Sequence, residues 1–218
     1  MIVNNKIGIT LSGGGFRGIA HLGVLQCMEE LGISFDAISG ASAGALIGAF
    51  IAEGYSPAEI FKFAKTEKFF NYTDLFRGNG GMFSPDIFER IITKYIPHNS
   101  FEQLKVPLYV SVTDLSNARS LVFNQGCLSL AIKSSCCFPM VFVPVNYHND
   151  TILCDGGILN NFPVEHINAT CGKSVGVDVN SIEIARGHMG YGEIMDRIIR
   201  IITSKIDKEG ANYCDVFI

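Results

Sequence analysis

The sequence predicts an α/β fold, a sandwich of helices around a mostly parallel β-sheet. Segments with strand character alternate with segments of helical periodicity along the chain, which is the order that parallel sheets require. Several of the strands are apolar without polar alternation, as is typical of strands buried on both faces. The 218 residues, 48% hydrophobic and 17% charged, suit one domain with a full core. We therefore expect a single domain over residues 1–218.

The first half of the chain contains two strand–loop–helix units and two further helices. Residues 6–11 form a strand that ends at a run of glycines, and apolar residues at helical spacing follow over residues 17–31, with Gly32 suited to the C-cap. Residues 33–40 predict a short second strand and residues 43–53 a second helix. Ser56, Pro57 and Glu59 combine an N-cap, a first-turn proline and a capping-box acid. Residues 84 and 85 repeat this signal before a helix that ends at residue 95.

The second half of the chain continues the alternation. Residues 108–113 predict a buried strand, and a short helix begins near residue 129. Further strands are predicted at residues 120–124, 140–145, 151–157, 172–180 and 213–218, and an amphipathic helix at residues 191–206. Residues 69–83 form the one long irregular stretch. Its aromatic residues suit either a lid that contacts lipid or a loop tucked over the core.

Composition excludes several functional classes. A net charge of −4 gives no electrostatic footprint for nucleic acid. The seven cysteines follow neither zinc-site nor disulfide spacing, so we expect reduced thiols and a cytoplasmic location. Residues 1–11 lack the pattern of a signal peptide. Residues 37–52 are uncharged and glycine-rich, but sixteen residues are too few for a membrane span.

The glycine loop after the first strand has two interpretations. Gly13, Gly15 and Gly18 match the G-x-G-x-x-G fingerprint of dinucleotide-binding folds. That fingerprint also needs an acidic residue at the end of the second strand, whereas Asp36 precedes the β-forming run. A nucleotide-binding module is therefore the weaker hypothesis.

The second loop predicts a nucleophile elbow. Gly40, Ala41, Ser42, Ala43 and Gly44 form G-x-S-x-G between a strand and a helix, and the small flanking residues allow the tight turn that exposes a serine hydroxyl. A serine that attacks a carbonyl needs donors for the resulting oxyanion, and the N–H groups of a glycine loop at a helix N-terminus can supply them. In this interpretation the second loop supplies the nucleophile and the first glycine loop supplies the donors for its oxyanion, so both motifs have a role.

The activating base is predicted to be an aspartate. None of the histidines ends a strand framed by glycines; they are His21, His98, His148, His166 and His188. Asp155 ends a β-run and is followed by Gly156 and Gly157, which would present its carboxylate at the edge of the sheet. The alternative is an Asp-Gly hairpin turn.

The three motifs G-G-G-F-R-G, G-A-S-A-G and D-G-G, in this order, resemble the patatin-like phospholipases, lipid acyl hydrolases with a Ser–Asp dyad. The resemblance extends over residues 6–178 and implies a three-layer α/β/α sandwich. It implies Ser42 as nucleophile, Asp155 as general base, and an oxyanion hole formed by the loop Gly13, Gly14, Gly15, Phe16, Arg17 and Gly18. It also implies a lipid or phospholipid substrate, a transient contact with a membrane surface, and no metal or organic cofactor.

Four points depart from the family pattern or stay open. Cys136 and Cys137 replace small alanine-like residues, which buried thiols can mimic. Arg17 matches the family's basic loop residue, although anchoring the loop by a salt bridge is an equal alternative. The chain stops at residue 218, where another strand–helix unit is expected, so the domain is either a compact member or lacks a C-terminal segment. A binding or regulatory relative whose dyad geometry has lapsed is a third hypothesis.

Overall fold

A predominantly parallel sheet lies at the centre of the molecule. The computed structural model describes residues 5–67, 75–78, 81–182, 184, 187–190, 192–194, 197–198, 200–201 and 209–218. The strands in these ranges are β1 (Ile7–Leu11), β2 (Ala37–Ala41), β3 (Leu75–Gly78), β4 (Gly81–Phe83), β5 (Leu108–Asp114), β6 (Arg119–Phe123), β7 (Met140–Phe142), β8 (Val145–Asn146), β9 (Ile152–Asp155), β10 (Lys173–Val177) and β11 (Val216–Phe217). The α-helices in these ranges are α1 (His21–Glu30), α2 (Ala43–Glu53), α3 (Pro57–Thr66), α4 (Asp86–Tyr95), α5 (Leu128–Ser135) and α6 (Glu165–Thr170).

The strand order of the main sheet is β11-β10-β1-β2-β5-β9-β8, and β6 also pairs with β5. The pairs from β11 to β5 are parallel, whereas β6, β8 and β9 run antiparallel to their neighbours. Strands β3, β4 and β7 form a separate small sheet. The sheet is therefore mostly parallel, as the sequence predicts.

Helices cover both faces of this sheet. Successive side chains of β2 point to opposite faces: Ile38 belongs to the main core beside α2, while Ala37 packs with Ile167 of α6. Both faces of β2 are buried, which explains why it has no polar alternation. This confirms the predicted α/β/α layering.

Several predicted boundaries match the structure. Helix α2 has the predicted bounds, and α3 begins with the predicted capping box between Ser56 and Glu59. Gly32, at φ 71°, follows the end of α1. The first helix differs from the prediction because residues Gly15–Ala20 form a 3₁₀ turn before α1 begins. At α4 the N-cap is Pro85, one residue later than the predicted Ser84, because Ser84 lies outside the helix, where its Oγ accepts from the N–H of Asp86 at 3.2 Å.

Two predictions from local pattern are wrong in part. The strand predicted at residues 140–145 is split between β7 in the small sheet and β8 in the main sheet. The stretch 69–83 is not wholly irregular, because β3 and β4 lie in it; residues 69–74, 79 and 80 lie outside the described residues. The helix predicted at 191–206 also lies largely outside them. Across the described ranges, no helix has the length and apolarity to span a bilayer.

Candidate active site

Ser42 occupies a strained turn between β2 and α2. Its backbone has φ 51° and ψ −122°, a positive φ that serine rarely adopts. Close packing explains the neighbouring glycines: a Cβ on Gly44 would lie 2.2 Å from the carbonyl oxygen of Leu11, and one on Gly40 would lie 2.7 Å from the backbone of Gly44. The turn therefore has the form of the predicted elbow.

Strand β5 brings Ser42 and Asp155 together. The last residue of β2, Ala41, pairs with Ser111, and the last residue of β9, Asp155, pairs with the next residue, Val112. Because β2 is parallel and β9 antiparallel to β5, the two strands end at adjacent positions along it. Ser42 Oγ donates a hydrogen bond to Asp155 Oδ2 at 2.7 Å. The predicted serine and aspartate are in direct contact.

Burial controls the charge state of Asp155. The residue is 3% exposed, and burial raises the pKa of its carboxyl from 3.8 to about 6. Hydrogen bonds from the Ser42 hydroxyl and from the Gly157 N–H, which donates to Oδ1 at 2.8 Å, lower the pKa and oppose that rise. The carboxylate is therefore ionised near neutral pH and is a much stronger base than an exposed aspartate. Residues Gly156–Ile158 form a 3₁₀ turn, so the Asp-Gly hairpin alternative is wrong.

The glycine loop lies against the elbow. A Cβ on Gly18 would lie 2.5 Å from Ala43 Cβ, so only glycine allows this approach. Among the described residues, the backbone N–H groups of Gly14 and Gly15 have no hydrogen-bond partner, and both glycines line the same cavity as Ser42. The N–H of Gly13 differs, because it donates to the carbonyl oxygen of Asn161 at 3.2 Å. Of the three predicted glycine donors, Gly13 is thus the one whose N–H is paired within the protein.

Phe16 and Arg17 have different surroundings. The Phe16 side chain is 76% exposed beside the cavity. Arg17 Nη2 donates to Asn180 Oδ1 at 3.5 Å, and Asn180 Nδ2 in turn donates to the carbonyl oxygen of Gly13 at 2.6 Å. Arg17 thus contacts the residue that anchors the glycine loop.

A predominantly apolar cavity of about 640 Å³ opens from the Ser42–Asp155 pair. Its wall includes the glycine loop, the elbow, Asn161 and Asn180. Aliphatic and aromatic side chains line most of the rest, among them Leu22, Leu46, Ile47, Phe50, Ile60, Phe63, Phe88, Ile91, Phe138, Val141 and Phe142. A long hydrocarbon group fits the chemistry of this wall.

The structure gives little support to the alternative sites. None of the five histidines lines the cavity. His21 is buried beneath the glycine loop, its Nε2 is 2.9 Å from the carbonyl oxygen of Ser12, and burial lowers its pKa. Asp36 precedes β2 and bonds to the backbone of Ile7, at the opposite end of β1 from the glycine loop, where it could not bind a ribose beside that loop. Among the described residues, no cluster of side chains suits a metal ion.

Three residues of the site were not predicted. The backbone oxygen of Asn161 and the side-chain amide of Asn180 both bond to the backbone of Gly13 in the glycine loop, and Ser135 contacts the backbone of Ser42. Asn161 follows the D-G-G motif closely, so its position could have suggested a role. No local signal distinguishes Ser135 from Ser134 beside it, and Asn180 is brought to the loop only by the pairing of β10 with β1.

Comparisons with known proteins agree on one family. The model of the family described as patatin-like phospholipase matches residues 9–167. A lysophospholipase NTE1 of Meyerozyma guilliermondii is 30% identical over 202 residues, which cover 89% of this chain and 14% of that protein. The human patatin-like phospholipase domain-containing protein 6 is 30% identical over 189 residues, covering 83% of this chain and 14% of that protein.

The solved structure of VipD from Legionella pneumophila has a similar fold. The TM-score is 0.58 at 16% sequence identity, and the match covers 80% of this chain and 50% of that one. The chain spans only 14% of the length of the two curated relatives named above. From the family model, which matches residues 9–167, and from these relatives at 30% identity, the chain belongs to the patatin-like phospholipase family.

Proposed function

We propose that this protein is a serine hydrolase that cleaves acyl esters of lipids through an acyl intermediate on Ser42. The observation that carries the proposal is the 2.7 Å hydrogen bond from Ser42 Oγ, on its strained turn, to the buried carboxylate of Asp155. Membership of the family supports lipid ester hydrolysis as the reaction class.

In the first half of the reaction, Ser42 Oγ attacks the ester carbonyl and Asp155 Oδ2 takes the hydroxyl proton. A carboxylate with a pKa of about 6 suits this transfer at neutral pH. The developing oxyanion is stabilised by the N–H groups of Gly14 and Gly15, which have no partner among the described residues, and each such donor contributes about 3–4 kcal/mol in related sites. The proton then passes from Asp155 to the departing alcohol, leaving the acyl group on Ser42.

In the second half, water enters the position that the alcohol vacated. Asp155 takes a proton from the water, whose oxygen attacks the acyl carbonyl, and Ser42 recovers its proton as the acid departs. The second carboxylate oxygen stays bonded to the Gly157 N–H throughout, which holds the carboxylate in one orientation. A single carboxylate therefore acts as the base in both halves.

The cavity supports a lipid as substrate. Its aliphatic and aromatic wall begins at Ser42 and extends between α2, α3 and α4, where an acyl chain would be removed from water. Phe16 and Ile19 are 76% and 44% exposed and line the same cavity. We assign to these two side chains a transient contact with the surface of a membrane, from which the substrate would enter.

Hydrolysis measured on two substrate types tests the proposal. Short-chain p-nitrophenyl esters report the chemistry alone, and vesicles of phospholipid or lysophospholipid report lipid cleavage. We expect Ser42→Ala and Asp155→Asn each to reduce kcat by at least about 10³-fold, and the double variant to lose no more than the worse single variant. Wild-type rates in Ser42→Ala would contradict the proposal. Saturable NAD or ATP binding without esterase activity would favour the nucleotide-binding alternative.

A further inference from the structure

The backbone of Ser42 is held by the side chain of Ser135, the last residue of α5. Ser135 Oγ accepts a hydrogen bond from the Ser42 N–H at 2.8 Å and donates one to the carbonyl oxygen of Ser111 at 2.7 Å. Ser111 lies in the middle of β5, opposite Ala41. The hydroxyl therefore ties the elbow to the central sheet, and its two roles as acceptor and donor are both used.

The next residue along the chain holds the other polar atom of the Ser42 backbone. Cys136 Sγ donates to the Ser42 carbonyl oxygen at 3.3 Å, and the N–H of Leu46 donates to the same oxygen at 3.0 Å. Consecutive side chains at the end of α5 therefore contact the N–H and the C=O of one residue. Ser135 is fully buried and Cys136 nearly so, so water does not replace either contact.

This contact matters because the Ser42 conformation is unfavourable by itself. A serine at φ 51° and ψ −122° persists only where its surroundings hold it there. The direction of the Ser42 side chain follows from that backbone, and the 2.7 Å bond to Asp155 depends on that direction. Removing the Ser135 hydroxyl would leave the Ser42 N–H buried and unpaired, which favours relaxation of the turn.

We propose that Ser135 is a positioning residue, which holds the strained backbone of Ser42 so that its hydroxyl reaches Asp155. The proposal rests on the function proposed above, because it concerns the geometry of the same pair. It adds a residue that contacts neither the ester nor the reacting atoms. A small misplacement of a nucleophile costs about 10²-fold in rate in comparable cases, which is far more than a loss of stability alone would produce.

Loss of the Ser135 contact should also change the pH dependence of catalysis. The hydrogen bond from Ser42 lowers the pKa of Asp155, so weakening that bond lets the pKa rise. In the described part of the chain, the titratable groups that face Asp155 are the thiols of Cys136 and Cys137 from the end of α5 and of Cys154 from its own strand. Burial raises the pKa of all three thiols, so they stay neutral and do not obscure the effect. The acidic limb of kcat/KM should therefore move to higher pH when Ser135 no longer holds Ser42.

The matched control is the adjacent serine. Ser134 is also fully buried on α5, but its Oγ has no hydrogen-bond partner in the part of the chain that the structure describes. Ser134→Ala removes the same atom from the same helix without disturbing the elbow. We therefore compare kcat, KM and the pH profile of wild type, Ser134→Ala, Ser135→Ala and Ser135→Thr on a p-nitrophenyl ester, with Ser42→Ala as the inactive reference.

We expect Ser135→Ala to lower kcat by about 10–100-fold with little change in KM, and to shift the acidic limb upward. Ser134→Ala should match wild type, and Ser135→Thr, which keeps the hydroxyl, should recover part of kcat and of the profile. If Ser135→Ala does not fold, Ser135→Cys replaces it, because a thiol fills the site but is a weak acceptor; the same loss and the same shift are expected.

Three outcomes overturn the inference or its foundation. Equal kcat in the Ser134 and Ser135 variants overturns the positioning role. A lower kcat in the Ser135 variant with an unmoved acidic limb also overturns it, since a merely structural defect would produce that result. Wild-type activity in Ser42→Ala instead refutes the proposed function, and this reference separates that failure from the other two.

Discussion

The substitution Asp155→Asn should abolish activity and yet make the protein more stable at neutral pH. Burial raises the pKa of Asp155 from 3.8 to about 6, so folding penalises its charged form. At about 1.36 kcal/mol for each pKa unit, the rise corresponds to about 3 kcal/mol. An asparagine carries no charge, keeps an oxygen for the Gly157 N–H, and offers an amide that can donate to Ser42 Oγ.

The sign of this effect depends on pH. Below pH 3.8 the carboxyl of Asp155 is protonated in both the folded and the unfolded chain, so folding buries no charge there and loses no stability. As pH rises from 3.8 to about 6, the unfolded chain releases the Asp155 proton first, and the free energy of unfolding of the wild type decreases. Above pH 6 the folded protein bears the full cost of the buried charge. The stability advantage of Asp155→Asn should thus be about 3 kcal/mol at pH 8 and should shrink toward zero near pH 4.

Thermal unfolding of both proteins across pH 4–8 measures the difference. For a chain of this size, about 3 kcal/mol corresponds to a Tm increase of about 6–12 °C at pH 8. A variant that is equally stable or less stable than wild type at pH 8 would show that burial of the Asp155 charge does not destabilise the fold. A constant difference over the whole pH range would show the same, because the advantage would not come from a buried charge.

Three further predictions concern the pH profile, the elbow and the thiols. Wild-type kcat/KM should fall tenfold for each pH unit below about 6, as Asp155 becomes protonated; a flat profile from pH 8 to 5 would exclude it as the base. Gly44→Ala should destabilise the protein by about 3 kcal/mol or more in denaturant unfolding, because its Cβ would meet the Leu11 carbonyl oxygen. Gly23→Ala in α1, where a Cβ meets no atom of the described residues within 4 Å, is the control and should stabilise by about 0.5–1 kcal/mol; equal effects would contradict the packing argument. A thiol reagent should modify the exposed Cys27 and Cys127 in the native protein, but Cys136 and Cys137 only after unfolding; rapid native modification of Cys136 would contradict its burial.

Local sequence pattern predicts those features of the fold and the site whose physical cause lies within a few residues of the chain. The turn at Ser42 needs small residues within a few positions on either side, and Gly40 and Gly44 meet this requirement. Helix α3 begins at the capping box because the bonds involved join residues three apart. Asp155 was identified for the same reason, since the glycines after it allow the 3₁₀ turn in which the Gly157 N–H binds its carboxylate.

Contacts between distant segments could not be predicted in this way. The meeting of Ser42 with Asp155 depends on the antiparallel direction of β9 and on its register against β5, which no single stretch encodes. The bond from the Ser42 N–H to Ser135 joins residues 93 positions apart. The strand pattern over residues 140–145 is continuous and does not reveal that β7 belongs to the small sheet and β8 to the main sheet.

If Ser42 is the activated nucleophile of this site, a fluorophosphonate should label it in the folded protein, and mass spectrometry of the peptides locates the adduct. We expect one adduct per chain, located on Ser42, absent from Ser42→Ala and formed much more slowly in Asp155→Asn. An adduct on another residue, or no adduct in folded wild-type protein, would contradict it.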